Sequence, residues 1–277
     1  MRKRNQFGAG EAKERLEAEG FWEEIVHLKQ VGSTNEVAKT LASRGAPAGT
    51  VVVADEQTAG RGRLGRRWNA PPDTSLLCSI LFRPDLGPGQ AHQLTMLCSM
   101  AAADAIMALA ELAVGLKWPN DLVVRSRIRD RASPAWRKLA GILTESSVST
   151  SHLDYVVVGI GINVNVRRDQ LASLAPNATS ILAETGTAVN RWQLLVTVLR
   201  AVAARYQRLE DGQSPRREWS ARLTTLGRQV EVTTSDGVLV GVAEAVDEDG
   251  ALLLRTDGGS LRRLLAGDVT LADSEPD

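Results

Sequence analysis

Residues 55–72, DEQTAGRGRLGRRWNAPP, set Arg61, Arg63, Arg66 and Arg67 among Gly60, Gly62 and Gly65, with no acid between Gln57 and Pro72. Guanidinium forks match carboxylate and phosphate oxygens in bidentate fashion. Glycines let the backbone turn tightly and approach a ligand closely. The stretch follows Val51-Val52-Val53-Ala54, a short apolar run that predicts a buried strand. A strand feeding such a loop predicts an anion-binding site at a sheet edge. The competing role is a flexible RG-rich nucleic-acid-binding segment, disfavoured by the loop's shortness and its place between two strands.

Lysine usage adds a second signal. Only six of the 33 basic residues are lysines, and beyond residue 40 only Lys117 (in KWPND) and Lys138 (in KLAGIL) remain. A compact, rotatable ammonium does a different job from a planar fork. In KWPND, Pro119 fixes a turn while Asn120 and Asp121 offer polar groups beside Lys117. Further on, GIGIN (Gly159–Asn163) has two glycines but neither the third glycine nor the following helix of a dinucleotide fingerprint. Two glycines in a strand signal instead that something approaches the backbone closely.

These residues need positioning elements, and the chain supplies them. Residues 8–20 carry a charged helical pattern and read as an N-terminal extension ending near 29. Ser33 and Glu36 form a capping box that opens a helix through about Ser43; hydroxyls at a helix start also supply fixed donors to a polar ligand. Thr74–Arg83 reads as a strand, and 88–113 as a helix with Leu94, Leu97, Ala101, Ala105 and Leu109 on one stripe. Leu116–Val124, Leu139–Glu145 and Tyr155–Val166 read as short strands. Between the first two lies RSRIRDRASPAWRK, six basic residues and one acid, a solvated loop by default or a lid over an anionic ligand. Trp192–Asp211 is an amphipathic helix, and Glu218–Thr225 a shorter one. From Gly227 onward, strand-like runs separated by SDG, DEDG and DGG predict a small all-β module. The expected division is 1–29, 30–226 and 227–277.

Bulk properties bound the rest. The 277 residues are 43% hydrophobic and 24% charged, with 33 basic and 33 acidic side chains. That balance makes any anion site local and gives no global attraction to nucleic acid or membrane. No apolar run has the ~18 residues of a membrane span, and the N-terminus lacks the apolar region of a secretory signal. Cys78 and Cys98 lie in apolar surroundings, and His27, His92 and His152 are scattered. A reducing cytoplasmic setting without histidine or transition-metal chemistry is expected.

GRGRLGRRW, KWPND, KLAGILTE and GIGINVN, in that order, with Ser33-Thr34-Asn35 ahead of them and a β module containing GALLL behind, resemble a biotin protein ligase over about residues 30–270. The resemblance implies an α/β (α+β) fold: a class II aminoacyl-tRNA synthetase-like catalytic domain with a mixed sheet, then an SH3-like β-barrel. It implies that biotin and Mg-ATP give biotinyl-5′-AMP and pyrophosphate, and that biotin then passes to a lysine of a biotin carboxyl carrier protein. On the matching positions, Ser33, Thr34, Gln57, Gly60, Arg61, Arg63, Gly141 and Gly159 are biotin-contacting. Lys138 bridges biotin carboxylate and α-phosphate. Trp68 walls the biotin tail or packs as plain core. Arg63, Arg66, Lys117, Asn120, Lys138 and Asn163 are implied at ATP, Asn120 having a plain turn as its competing role. Lys138, Arg63 and Asp121 carry the chemistry, Asp121 either holding magnesium or orienting the acceptor lysine. The 32 residues before Ser33 are too few for a winged helix-turn-helix, so no direct DNA binding is expected. A second expectation is that the Arg125–Arg137 insert orders over the adenylate. A lipoate ligase or octanoyltransferase, and a non-catalytic nucleic-acid-binding protein, are the alternatives.

Overall fold

The computed structural model describes residues 7–125, 136–149, 152–171, 174–175 and 177–271. Helix α1 (Ala9–Glu17) leads into β1 (Glu24–Val31), α2 (Thr34–Ser43), β2 (Thr50–Gln57), β3 (Ser75–Phe82) and α3 (His92–Ala110). Then follow β4 (Gly115–Lys117), β5 (Asp121–Arg125), β6 (Trp136–Val148) and β7 (Leu153–Asn163). After these come α4 (Arg168–Leu171), α5 (Ile181–Thr185), α6 (Arg191–Glu210) and α7 (Arg216–Ala221). The C-terminal strands are β8 (Gln229–Thr234), β9 (Gly237–Val246), β10 (Leu252–Thr256), β11 (Leu261–Leu264) and β12 (Asp268–Leu271).

Strands β1–β7 form one mixed sheet, in the order β1-β2-β3-β7-β6-β5-β4, in which β1 and β2 are parallel and the remaining pairs antiparallel. Side chains alternate across a strand, and β2, β3 and β7 split accordingly. Val51, Val53, Ile80, Phe82, Val156 and Val158 join the main core with α3 and α6. Val52, Leu81 and Val157 pack under Ala38 and Ala42 of α2. The second face is therefore only partly covered by a helix, and the remainder of it forms the candidate site. Strands β8–β12 form a separate antiparallel sheet in the order β11-β10-β9-β8-β12, the small β module that the hairpin signals predict.

Four expectations need correction. The expected N-terminal extension is seated on the catalytic sheet: Ala12, Leu16 and Trp22 belong to the main core, and β1 pairs with β2 from Glu24 onward. Ser33 is the N-cap of α2 by backbone position, but its side chain makes no cap bond. Glu36, the other half of the expected box, pairs with Lys39 at 2.8 Å and with Arg61. Leu116–Val124 is not one strand but a β4–β5 hairpin turning through Trp118-Pro119, whose peptide bond is cis. Trp136–Lys138, assigned to the basic loop, begins β6; the rest of that insert, 126–135, lies outside the described residues.

Candidate active site

The floor of the site is the α2 face of β5, β6 and β7. Cross-strand neighbours share a face, so Asp121, Gly141 and Gly161 lie side by side, with Gly159 opposite Leu143. Three glycines in place of side chains leave a trough. A Cβ on Gly161 would stand 2.7 Å from the Trp68 ring, one on Gly141 3.2 Å from it, and one on Gly159 2.2 Å from Asn35 Oδ1. The close approach expected of GIGIN is thus the indole of Trp68 and the amide of Asn35.

Lys138 reaches this face through a β-bulge. It is three residues from Gly141, an odd spacing that would put it on the opposite face of a regular strand. Leu122 pairs with Ala140 but Val123 pairs with Lys138, so Leu139 is the extra residue. The bulge re-aims the lysine into the trough. There Lys138 Nζ is 2.6 Å from Asp121 Oδ1, and Lys117 Nζ is 3.7 Å from Asp121 Oδ2. Asp121 is 7% exposed, so one buried carboxylate holds both lysines of the chain's body. It neutralises part of their charge while keeping each ammonium aimed at the cleft.

The wall at the other end is a polar network. Gln57 Oε1 accepts from the Thr34 amide at 2.8 Å and from Thr34 Oγ1 at 3.1 Å. Ser79 Oγ lies 2.7 Å from Thr34 Oγ1 and 2.6 Å from Asn35 Oδ1. Asn35 Nδ2 donates to Glu145 at 2.8 Å. Ser33 is 4% exposed, and its hydroxyl, free of capping, lines the cleft.

The glycine–arginine stretch folds over the trough as a tight hairpin. Arg61 and Arg67 bridge antiparallel, Gly62 N–H donates to Arg66 C=O, and the tip turns through left-handed Leu64 and Gly65. Three of its four arginines find different walls. Arg61 pairs with Glu36 of α2 and lies 3.5 Å from Glu145 of β6. Arg63 donates to Asn120 Oδ1 at 3.2 Å and to Gly267 C=O at 3.5 Å; burial pushes its guanidinium pKa down. Arg66 pairs with Asp268 at 2.7 Å. Burial alone would raise the Asp268 carboxyl, yet the bond from Arg66 and the charges of Lys117 and Lys138 hold it below the usual carboxylate range. The same holds for Glu145, whose burial is outweighed by Asn35, Lys39 and Arg61.

The KWPND turn is fastened from two sides. Asn120 Nδ2 donates to Ile142 C=O at 2.6 Å, and Ile142 N–H donates to Asn120 C=O at 2.9 Å. Trp118, 1% exposed, donates its Nε1–H to Gly250 C=O at 2.9 Å. Asn120 is therefore both a turn residue and Arg63's acceptor. Asn163 donates to Thr179 C=O at 3.0 Å, leaving its buried Oδ1 unpartnered.

Together these surfaces enclose a cleft of about 640 Å³. Ser33, Thr34, Gln57, Arg61, Arg63, Arg66, Trp68, Lys117, Asn120, Asp121, Lys138, Gly141, Gly159 and Asn163 all line it. Gly60 does not: it sits behind the hairpin, where its carbonyl accepts from Trp68 N–H and a Cβ would strike Trp68 C=O. A cleft with lysines at its centre, forks on a hairpin above and a glycine floor suits an elongated ligand with an anionic middle.

Comparison with known proteins gives this arrangement a lineage. Residues 28–163 match the Biotin/lipoate A/B protein ligase family, and 225–271 match the Biotin protein ligase C terminal domain. The chain is 31% identical over 274 residues to the Bifunctional ligase/repressor BirA of Bacillus spizizenii, covering 98% of this chain and 81% of that one. The chain belongs to the biotin protein ligase family. It is also 36% identical over 240 residues to the Biotin–[acetyl-CoA-carboxylase] ligase of Paracoccus denitrificans, covering 84% of this chain and 94% of that one. The biotin protein ligase of Aquifex aeolicus, solved in complex with biotin and ATP, superposes with a TM-score of 0.71 at 29% identity, covering 91% of this chain and all of that one.

For a biotin protein ligase, several contributors to the cleft have no local sequence signal. Gly267 and Asp268 enter from the C-terminal module, and Asn35 and Glu145 tie α2 to β6. Trp136 lines the cleft two residues before Lys138. Only Gly161 had a signal, as the second strand glycine of GIGIN.

Proposed function

We propose that this protein is an ATP-dependent biotin protein ligase acting in the cytoplasm. Its substrates are biotin, Mg-ATP and a lysine of a biotin carboxyl carrier protein such as that of acetyl-CoA carboxylase. The observation that carries this reading is Lys138, turned by the bulge into the middle of the cleft, with Asp121 behind it and arginines above. Adenylation brings together two anions, a carboxylate and the α-phosphate. A biotin carboxylate oxygen forms a bond to the α-phosphorus, the bond from that phosphorus to the β-bridging oxygen breaks, and pyrophosphate leaves. Lys138 offsets the repulsion at the point of attack, and Arg63 and Arg66 meet the charge on the phosphates. A well-placed donor of this kind is worth about 3–4 kcal/mol in the transition state. In the second step the carrier lysine's amine attacks the acyl carbon, the acyl C–O bond breaks, and AMP leaves.

The glycine-floored end suits the acyl part. The Trp68 indole stands over Gly141 and Gly161, and an apolar slot with a few amide partners is what a ureido ring and thioether chain need. Gln57, Thr34 and Ser33 supply those partners. Asp121 fits a positioning role better than a metal-holding one. It is already ion-paired with two lysines, and among the described residues no three metal-ligating side chains gather. Magnesium accordingly enters with ATP as part of the substrate. The nucleic-acid-binding alternative loses its basis, because Arg61 and Arg66 are matched to acids.

The test is pyrophosphate release from Mg-ATP with and without biotin, for the wild type and Lys138→Ala. Biotin-dependent release that collapses in the variant is expected. Release driven equally well by lipoate would move the substrate to the sister activity, and release indifferent to any acid would overturn the reading.

A further inference from the structure

We propose that Arg191 is a positioning residue for the arginine hairpin: its guanidinium clasps the two feet of the loop, Asp55 and Asp73, to the first turn of α6 and so sets how the hairpin stands over the cleft. What the hairpin closes on rests on the ligase reading; the clasp itself rests on geometry outside the cleft.

Asp55 lies near the end of β2 and Asp73 just ahead of β3, so residues 58–72 leave the sheet beside one acid and return at the other. The outgoing limb is stitched to the connection between β1 and α2, Thr58 N–H donating to Val31 C=O at 2.9 Å and Ala59 N–H to Gly32 C=O at 2.8 Å. The returning limb is held differently. The Trp68 amide donates to Gly60 C=O, and the Asp73 amide donates to Asp55 C=O at 3.0 Å. Between them Pro71 and Pro72 have no N–H, and the Asn69 and Ala70 amides make no hydrogen bond among the described residues. The hold of this limb on the body is therefore concentrated at Asp73.

That foot is gripped from α6. Arg191 Nη2 lies 2.6 Å from Asp73 Oδ1 and 3.2 Å from Asp55 Oδ1, and Nη1 donates to Ser75 C=O at 3.2 Å. One planar fork thus meets both feet and the first residue of β3, a geometry that suits a guanidinium better than a single ammonium. The Arg191 side chain is 14% exposed, and the helix start that carries it is fixed: Asn190 accepts from the Trp192 and Gln193 amides and donates to Phe7 C=O. Trp192 stands edge-on to His27, ring centroids 4.7 Å apart, and His27 Nε2 reaches Asp55 Oδ2 at 2.9 Å. Asp73 holds left-handed backbone, φ 62°, which glycine adopts at less cost; its bond to Arg191 accounts for a carboxylate here. Asp73 itself is 71% exposed, so the clasp adds little to global stability. Its effect is local, on where Trp68 sits over the glycine floor and where Arg61, Arg63 and Arg66 sit over the lysines.

The experiment compares wild type with Arg191→Ala, Asp73→Gly and Asp73→Asn by amide hydrogen exchange, melting temperature and steady-state pyrophosphate release. Gly keeps the left-handed turn without the carboxylate, and Asn keeps an oxygen for Nη2. Arg191→Ala and Asp73→Gly should speed exchange at the Trp68 amide, and raise the KM for biotin and for ATP, each ~3- to 10-fold, as for loss of a charged hydrogen bond. Exchange at the Ala59 amide and kcat should stay near wild type in both, as should the melting temperature of Asp73→Gly, and Asp73→Asn should recover most of the loss. Unchanged exchange at Trp68 in either variant, an equal rise at Ala59, a fall in kcat without a rise in KM, or no recovery by Asn would overturn the proposal. A wild type without biotin-dependent release would strike the ligase reading instead, and the exchange comparison would still decide the clasp.

Discussion

The two cationic regions of the cleft carry similar charge and are held by opposite means. The lysines sit on the sheet. Lys117 ends β4, Lys138 occupies a bulge of β6, and the turn between β4 and β5 is fixed by Asn120, by Trp118 and by hydrogen bonds to Ile142 and Gly250. The arginines sit on a hairpin whose only regular pairing is the Arg61–Arg67 bridge, and its side chains are tied down by Glu36, Glu145, Asn120 and Asp268. Sheet backbone resists displacement, whereas exposed ion pairs contribute little and exchange readily. The difference teaches a division of labour. On the proposed function, the point charges that meet the reacting atom are fixed in the sheet. The planar forks are carried on a loop, where Arg61 and Arg66 rest on carboxylates and Arg63 on amide oxygens, chemical stand-ins for the oxygens of the proposed ligand.

That contrast can be broken at several points. The largest effect belongs to the rigid half: Trp118→Ala should lower unfolding free energy by about 3–5 kcal/mol in a denaturant titration, from cavity formation and the lost bond to Gly250. A loss under about 1 kcal/mol would mean the turn is not anchored by this residue. Next comes Lys138→Ala, expected to reduce biotin-dependent pyrophosphate release by ~100- to 1,000-fold with little change in melting temperature. Gly161→Ala should drive the Trp68 indole off the floor, since its Cβ would lie 2.7 Å from the ring. Biotin affinity measured by calorimetry should fall ~10-fold or more, in line with the cost of overpacking. In the loop half, Arg66→Ala should raise the KM for ATP by ~10-fold while leaving stability near wild type, as expected when an exposed ion pair is removed.

The smallest effect is on pH. Glu145 and Asp268 are held below the ordinary carboxylate range. Carboxyls depressed on folding contribute stability that is present above their unfolded pKa of about 4 and is lost as pH falls through the lower folded value. Hydrogen exchange at the Gly62 and Trp68 amides, corrected for intrinsic rate, should therefore stay protected from pH 8 to 5 and open only in more acidic solution. Opening near pH 6 would show that the hairpin is not fastened by these acids.

Much of this was legible in the residues. The helical stripe through Leu94, Leu97 and Ala101, the apolar strand runs and the turn signals after Gly227 each depend on neighbours a few positions away. Periodicity records such neighbours directly, and the helices and hairpins follow it. Chemistry concentrated in short motifs was legible for the same reason: arginines spaced by glycines, a lone lysine beside a turn, glycines in a strand. Local patterns misled where a tertiary partner outbid the local one. Glu36 satisfies the capping-box spacing, but Arg61 and Lys39 take its carboxylate. The N-terminal helix reads as polar, but Ala12 and Leu16 are enough to seat it in the core.

The sequence by itself determined which residues carry charge, which segments form strands and helices, and in what order the motifs meet a ligand. Only the tertiary structure decided which way they point and what they answer to. One extra residue at Leu139 turns Lys138 from the core face to the cleft, a parity that composition cannot reveal because it is set by pairing with β5. Asp268, about 200 residues from Arg66, becomes its counter-ion because the C-terminal sheet docks on the KWPND turn. Contacts of that range leave no periodic trace in the chain. They arise when separate elements bury their faces together, and here that burial assembles the cleft.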